Sequence, residues 1–338
     1  MAIKVTLHGS GKKGVNYDAF LDSYIDNFVS SGYPYFEEGD EMLIVGAVDG
    51  ADTDVIVLGG ANFAYDLGSH TVSGKLSSAI LGTLGDSYNN DGSFDLDGQG
   101  HLTGYTKVVE FEGLKAANNS STRGEFHEIV AELMYLGGTN SRGAETFFEE
   151  INSQGHIVTG SNGADTYSGT EFRDVIKGGN GNDKLNGKDG NDKILGGNGN
   201  DLLNGGDGKD VLNGGAGNDK LIGGEGADKL FGGDGNDIFI YKSVEDSNKS
   251  GRDTIMDFNA DGNDRINLRA IDADTTTGGN QKFDFIEDDR FSGTAGELRY
   301  QEKGNNTILM GDVDGDGKAD LYITLKGFTD LDAGDLIF

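Results

Sequence analysis

GSNGADTYS GTEFRDVIK GGNGNDKLN GKDGNDKIL GGNGNDLLN GGDGKDVLN GGAGNDKLI GGEGADKLF GGDGNDIFI, residues 160–240, repeats a nine-residue pattern without a break. The sixth position of every block is aspartate: Asp165, Asp174, Asp183, Asp192, Asp201, Asp210, Asp219, Asp228 and Asp237. The eighth is always apolar: Tyr167, Ile176, Leu185, Ile194, Leu203, Leu212, Leu221, Leu230 and Phe239. Glycines at positions one, two and four allow a tight turn with exposed carbonyl oxygens. Each block therefore reads as a turn followed by a short strand with one inward anchor. One anchor cannot bury a core by itself, so successive turns must stack as a solenoid. A Gly/Asp-rich disordered linker would not keep aspartate and an apolar residue in phase nine times over.

The oxygens that such turns present are carboxylates and main-chain carbonyls. These are hard ligands that suit Ca²⁺ rather than zinc or copper. The expected calcium set is Asp183, Asp192, Asp201, Asp210, Asp219, Asp228 and Asp237, with Gly178, Gly196, Gly205, Gly214, Gly223 and Gly232 opening the turns. The first two blocks depart from the pattern, with Ser161 and Thr170 at position two and Phe172 at position four, and read as a cap. The blocks resemble the calcium-binding nonapeptides of repeats-in-toxin proteins. That resemblance implies a parallel β-roll with calcium between adjacent turns.

A chain of 338 residues has room for two or three cores. Its formal charge of −31 repels nucleic acid and anionic membrane surfaces. The same self-repulsion loosens the calcium-free chain, so calcium is expected to act as a folding switch. Cysteine is absent, which excludes disulfides and thiolate metal sites. The N-terminus, MAIKVTLHGSGKKG, lacks a signal-peptide core, and no stretch is long enough for membrane insertion. A secreted, extracellular protein, as the calcium sites suggest, then needs an uncleaved C-terminal export signal.

Residues 1–155 read as an α+β domain. Helical spacing is expected over 17–28, 126–136 and 143–151, and strands over 42–48, 55–58, 62–65, 70–76 and 107–111. The segments NYDAFLDSYIDNF, VIVLGGANFAYDL, SHTVSGKLSSAILG, VVEFEGL and FHEIVAELMYLGGTNSRGAETF resemble the haem-scavenging haemophores of Gram-negative bacteria. The resemblance implies a curved antiparallel sheet packed on helices, haem (Fe³⁺) gripped between two loops, and delivery to an outer-membrane haemophore receptor. It implies Tyr65 as iron ligand and His70 as the hydrogen-bond partner of its phenol oxygen. A phenolate is hard and anionic, which favours ferric iron, and a bonded imidazole favours the phenolate. The residues themselves place Tyr65 at a strand end and His70 at the start of the next, with 66–69 as a hairpin loop. Tyr33 and Tyr35, in the separate loop over 29–40, either reach the opposite face of the haem or stack on the porphyrin and pack that loop.

Beyond the repeats, GRDTIMDFNADGNDRINLRAIDADTTTGGNQKFDFI, FSGTAGELRY and GDVDGDGKADLYITLKGF resemble the C-terminal part of serralysin-type secreted metalloproteases. That implies a β-sandwich-like cap on the roll and recognition by a type I secretion apparatus, with Asp335, Leu336, Ile337 and Phe338 as an acidic residue followed by an apolar tail. Asp312, Asp314, Asp316 and Asp320 resemble the opening of an EF-hand loop without its closing Glu and are a further calcium candidate. Asp253, Asp257 and Asp264 either take calcium or form solvated turns. An enzyme is not expected. A zinc protease needs HExxH, but His127 and Glu128 are followed by Ile129, Val130 and Ala131. The expected organisation is a haem-binding domain over 1–155, a β-roll over 156–242 and a cap with export signal over 243–338. The expected function is a secreted calcium-dependent haemophore; the alternative is a repeats-in-toxin adhesin or matrix protein with a non-haem ligand.

Overall fold

A computed structural model of the chain describes residues 3–7, 35–36, 39–45, 54–66, 71–83, 106–112, 117–118, 154–258, 264–329 and 331–338. Contacts divide the protein into two units, residues 1–10 with 15–159, and residues 11–14 with 160–338.

In the first unit, β1 (Ile3–Leu7), β2 (Tyr35–Phe36), β3 (Gly39–Val45), β4 (Asp54–Asp66), β5 (Thr71–Thr83), β6 (Thr106–Glu112), β7 (Ala117–Asn118) and β8 (His156–Thr159) form one sheet. Neighbours pair antiparallel from β2 through β3, β4, β5 and β6 to β1, and β8 adds to β1 in parallel. The α+β expectation is overturned here. Among the described residues there is no α-helix, and those of this unit lie almost entirely in strands. The expected helices at 17–28, 126–136 and 143–151 lie outside the described residues. The physical reason is the reach of the strands. Val55–Leu58 and Asn62–Tyr65 are one strand, because the Gly59–Gly60 pair is absorbed by register shifts rather than ending the ladder. The partner strand likewise continues past Leu76 to Thr83. IKVTL, overlooked in the sequence, alternates apolar and polar residues and is the strand β1, with Val5 and Leu7 buried.

The second unit begins with β9 (Thr166–Ser168), β10 (Val175–Asn180), β11 (Lys184–Gly190), β12 (Lys193–Asn198), β13 (Leu202–Gly208), β14 (Val211–Ala216), β15 (Lys220–Ile222), β16 (Lys229–Asp234) and β17 (Ile238–Ile240). Alternate strands join opposite sheets, so each strand pairs in parallel with the one eighteen residues on: β9-β11-β13-β15-β17 on one side and β10-β12-β14-β16 on the other. The eighth-position anchors stack in register, Leu203 between Leu185 and Leu221, and Leu212 between Ile194 and Leu230, and all are buried. They form the core of the roll.

The C-terminal segment prolongs both sheets. β18 (Asp253–Ile255) follows β16, and β19 (Arg265–Asn267) follows β17. Beyond them, β20 (Asp284–Phe285), β21 (Glu297–Lys303), β22 (Asn306–Asp312) and β23 (Leu321–Leu325) extend the sheet of β18, and β24 (Leu336–Ile337) closes that of β19. Ile255 lies against Leu325 and Ile266 against Leu336, so the anchor rows run unbroken into the cap.

Candidate metal centre

Each sixth-position aspartate stands where a turn enters a strand. From Asp183 onward its Oδ1 accepts the amide of the aspartate eighteen residues earlier. Asp165, Asp183, Asp201 and Asp219 donate in this way to Asp183, Asp201, Asp219 and Asp237 at 2.7–2.8 Å. On the other side Asp174, Asp192 and Asp210 donate to Asp192, Asp210 and Asp228 over the same range. One oxygen of each carboxylate from Asp183 to Asp237 thus locks two turns together. The other does not: Oδ2 of Asp183, Asp192, Asp201, Asp210, Asp219, Asp228 and Asp237 is buried and has no hydrogen-bond partner. A buried anionic oxygen left unpaired is costly, and seven of them, in two rows on opposite sides of the roll, call for an external positive charge.

The glycine that opens each turn lets this oxygen and a neighbouring carbonyl pack against its bare Cα. A Cβ on Gly178 would lie 2.2 Å from Asp183 Oδ2 and 2.6 Å from the Gly196 carbonyl oxygen. The corresponding distances are 2.3 and 2.6 Å at Gly196, 2.3 and 2.5 Å at Gly205, and 2.2 and 2.6 Å at Gly214. Each of these four glycines therefore lies between a carboxylate oxygen of its own turn and a carbonyl oxygen of the next turn on that side, and the hollow beside it is bounded by both. Both are hard donors, and the absence of nitrogen and sulfur fits calcium. The electrostatics agree. Burial pushes the carboxyls of Asp183, Asp192, Asp210 and Asp228 up to about 7 and those of Asp219 and Asp237 up to about 6, against the pull of the amide each one accepts. Asp201 is raised for the same reason. A bound dication would supply the counter-charge that these carboxylates lack.

Gly187 belongs to this set although the sequence reading passed over it. Its hollow is bounded by Asp192 Oδ2 and the Gly205 carbonyl, and the neighbouring Lys188 takes a φ of 73° where other turns use glycine. The first two blocks differ. Ser161 gives its amide and hydroxyl to Asp165, and Thr170 does the same for Asp174.

At the far end the aspartate rows continue past the recognisable repeats. Asp228 donates its amide to Asp253 Oδ1, and Asp237 to Asp264 Oδ1, both at 2.9 Å. The signal was present in the sequence as Gly251-x-Asp253-x-Ile255 and Gly262-x-Asp264-x-Ile266, displaced from the nine-residue phase by insertions. Asp257 accepts the amides of Gly232 and Gly233 instead.

In the C-terminal loop, carboxylate oxygens of Asp312, Asp314 and Asp320 come within 4.8 Å of one another. Asp316 turns outward to Lys318. The two oxygens of Asp312 accept the amides of Gly315 and Gly317, so this loop is closed by its own backbone.

Of the candidate haem residues, Tyr65 is in β4 opposite Val72, and Tyr35 is in β2 opposite Leu43. The β4–β5 hairpin closes at the pair Asp66 and Thr71. Tyr33 and His70 lie outside the described residues.

The sequence profile of the Peptidase M10 serralysin C-terminal family matches residues 39–338. The chain belongs to that family. No curated protein matches it in sequence. Among solved structures, this serralysin C-terminal family member is similar to the apo hemophore HasA of Yersinia pestis, at 13% identity over 45% of this chain and 87% of that one, TM-score 0.33. It is similar to the holo form of that hemophore at 13% identity over 45% and 89%, TM-score 0.31. It is also similar to the R2 subunit of AlgE6, the Azotobacter vinelandii mannuronan C5-epimerase, at 23% identity over 53% and 94%, TM-score 0.33. These superpositions are loose, and family membership rests on the sequence profile. No helix among the described residues is long and apolar enough to cross a membrane.

Proposed function

We propose that this serralysin C-terminal family member is an exported haem-binding protein whose roll folds on calcium outside the cell. The observation that carries the calcium half is the set of seven buried, unpartnered carboxylate oxygens, in two rows, each beside the opening glycine of the same turn. Asp183, Asp192, Asp201, Asp210, Asp219, Asp228 and Asp237 would hold the ions, with carbonyls of the following turn as co-ligands. Bound calcium supplies positive charge that cross-links successive turns. The chain's own residues do the rest: amide-to-Oδ1 bonds set the spacing of the turns, and the stacked anchors keep water from the carboxylates. Millimolar calcium outside cells matches weak sites of this class.

The haem half is supported by the order of the haemophore-like segments in the sequence and by a hairpin that carries Tyr65 near its closed end. In this reading Tyr65 provides a phenolate to ferric iron, His70 steadies that phenolate, and Tyr33 and Tyr35 belong to the opposite loop. The chain acts by binding rather than catalysis. It leaves the cell through a type I apparatus that reads residues 335–338 and passes haem to a surface receptor.

Haemin titration followed by visible absorption tests this reading. A saturable ferric spectrum with phenolate character, lost in Tyr65→Phe, is expected. Unsaturable adsorption insensitive to Tyr65 would refute the haem half and leave a calcium-folded adhesin or matrix protein.

A further inference from the structure

The turns on the two long borders of the roll carry opposite chemistry. At the far ends of β11 and β13 and in the turn after β15, Asp189, Asp207 and Glu225 are exposed side by side. Where those strands begin, the border is made of asparagines. Asn180 and Asn198 donate Nδ2 to Oδ1 of Asn162 and Asn180, both at 2.8 Å. Next to this ladder, Asn182, Asn200 and Asn218 each spend Oδ1 on the amide of the asparagine eighteen residues on, at 2.7–2.9 Å. Their Nδ2 groups have no acceptor among the described residues, which leaves one exposed donor per turn at intervals of about 4.8 Å.

Cations stand two residues beyond this donor row. Lys184, Lys220 and Arg265 occupy one cross-strand row with Leu202 and Ile238 between them, on the solvent side of the sheet. They fall on every second strand, so the positive charges are about 9.6 Å apart. Lys184 and Lys220 are not ion-paired; between described residues the one salt bridge is Lys318 with Asp316. Carboxylates return at the C-terminal end of the border, with Asp234 in the turn and Asp335 near Arg265. The other sheet has a similar row, Lys193, Val211 and Lys229, but there the lysines follow the acidic border.

We infer that the asparagine border is a binding track for a linear acidic polysaccharide with a carboxylate on every second sugar. Lys184 and Lys220 face the carboxylates, the free amides face hydroxyls, and Leu202 and Ile238 meet the C–H faces of the sugars. Duplex DNA fits poorly, because its charges come about every 1.7 Å. An anionic membrane fits poorly too, because the border is only as broad as two sheets about 10 Å apart. The formal charge of −31 does not forbid the contact. Lys184 and Asp189 are separated along β11 by about 16 Å, twice the Debye length of about 8 Å in physiological salt. Single exposed ion pairs are weak, so affinity comes from their repetition along the track. The inference holds whether or not the first unit binds haem.

The test is calorimetric titration of the full chain in calcium with hyaluronan oligosaccharide, which has one carboxylate per pair of sugars, and with its uncharged methyl ester. The acid should bind saturably and the ester should not. Lys184→Gln with Lys220→Gln should weaken binding about tenfold, and Lys184→Arg with Lys220→Arg should keep it. Asn200→Asp preserves the acceptor for the Asn218 amide but replaces the donor by a carboxylate, and should weaken binding several-fold. Lys193→Gln with Lys229→Gln, beside the acidic border, should change nothing. These side chains are exposed, and circular dichroism in calcium checks that each variant folds. Should the first lysine pair fail that check, Asn200→Asp decides. Equal binding of acid and ester, equal loss in both glutamine pairs, or capture of duplex DNA or anionic vesicles in place of the oligosaccharide overturns the inference, as does the absence of saturable binding.

Discussion

Gly196→Ala is the sharpest probe of the hollows, because it adds one methyl group and little else. Gly196 does not have a positive φ, so alanine fits the backbone there. The methyl carbon would lie 2.3 Å from Asp201 Oδ2 and 2.6 Å from the Gly214 carbonyl oxygen, where ordinary contact begins near 3.4 Å. The carbonyl is fixed in strand β14, so the carboxylate must swing aside, and overpacking of this kind costs about 1–3 kcal/mol. The ion held by that hollow is lost as well, and at a calcium concentration a hundredfold above its Kd this removes about 2.7 kcal/mol more. The two contributions separate experimentally. With chelator only the steric cost acts, whereas with calcium both do, so denaturant unfolding should show a gap to wild type that widens by about 2.7 kcal/mol on adding calcium. Calorimetry should also count one ion fewer. Equal destabilisation with and without calcium, or an unchanged ion count, would refute the assignment of these hollows to cations.

Without calcium the roll should weaken as pH rises. Burial holds the carboxyls of Asp183, Asp192, Asp210 and Asp228 near 7 in the folded protein, against about 4 in an open chain. The folded state then keeps protons that the unfolded chain releases between about pH 4 and pH 7, so stability is greatest at the acid end of that window and falls through it. Thermal midpoints in chelator should drop from pH 5 to pH 8, and calcium should abolish the drop; a midpoint that rises in chelator would contradict the burial argument. Leu203→Ala empties a fully buried anchor between Leu185 and Leu221 and should cost about 2–5 kcal/mol in urea unfolding. Deleting residues 335–338 should block export and also lower the melting midpoint of purified protein, since Leu336 is a buried strand residue beside Ile266. Undiminished secretion would defeat the proposed signal.

The roll was legible because its period is short and strict: aspartate and apolar anchor recur in phase, and one block predicts the next. What escaped was whatever broke phase. Gly187 went unread because Lys188 follows it, and nothing in a lysine announces that it will take a left-handed φ. Asp253 and Asp264 were seen as oxygen-rich, but insertions hid that they are the next members of the two rows. In the first unit the glycine pair at 59–60 looked like a strand break, yet a ladder with partners on both sides absorbs it as an irregularity. The helical spacing read there failed to give the fold class because 3.6-residue periodicity is a local signal, whereas long antiparallel pairing is a non-local one that no single segment displays.

The alternation of blocks between two sheets has an evolutionary corollary. Loss or gain of a single nonapeptide would send every later block to the opposite side, exchanging Asp253 and Asp264 as termini and misaligning the C-terminal strands. Loss or gain of a pair leaves all later residues on their original side. Lengths of natural or designed variants of this roll should therefore differ in steps of eighteen residues, and a nine-residue change should survive only with a compensating change in the excursion at 241–252.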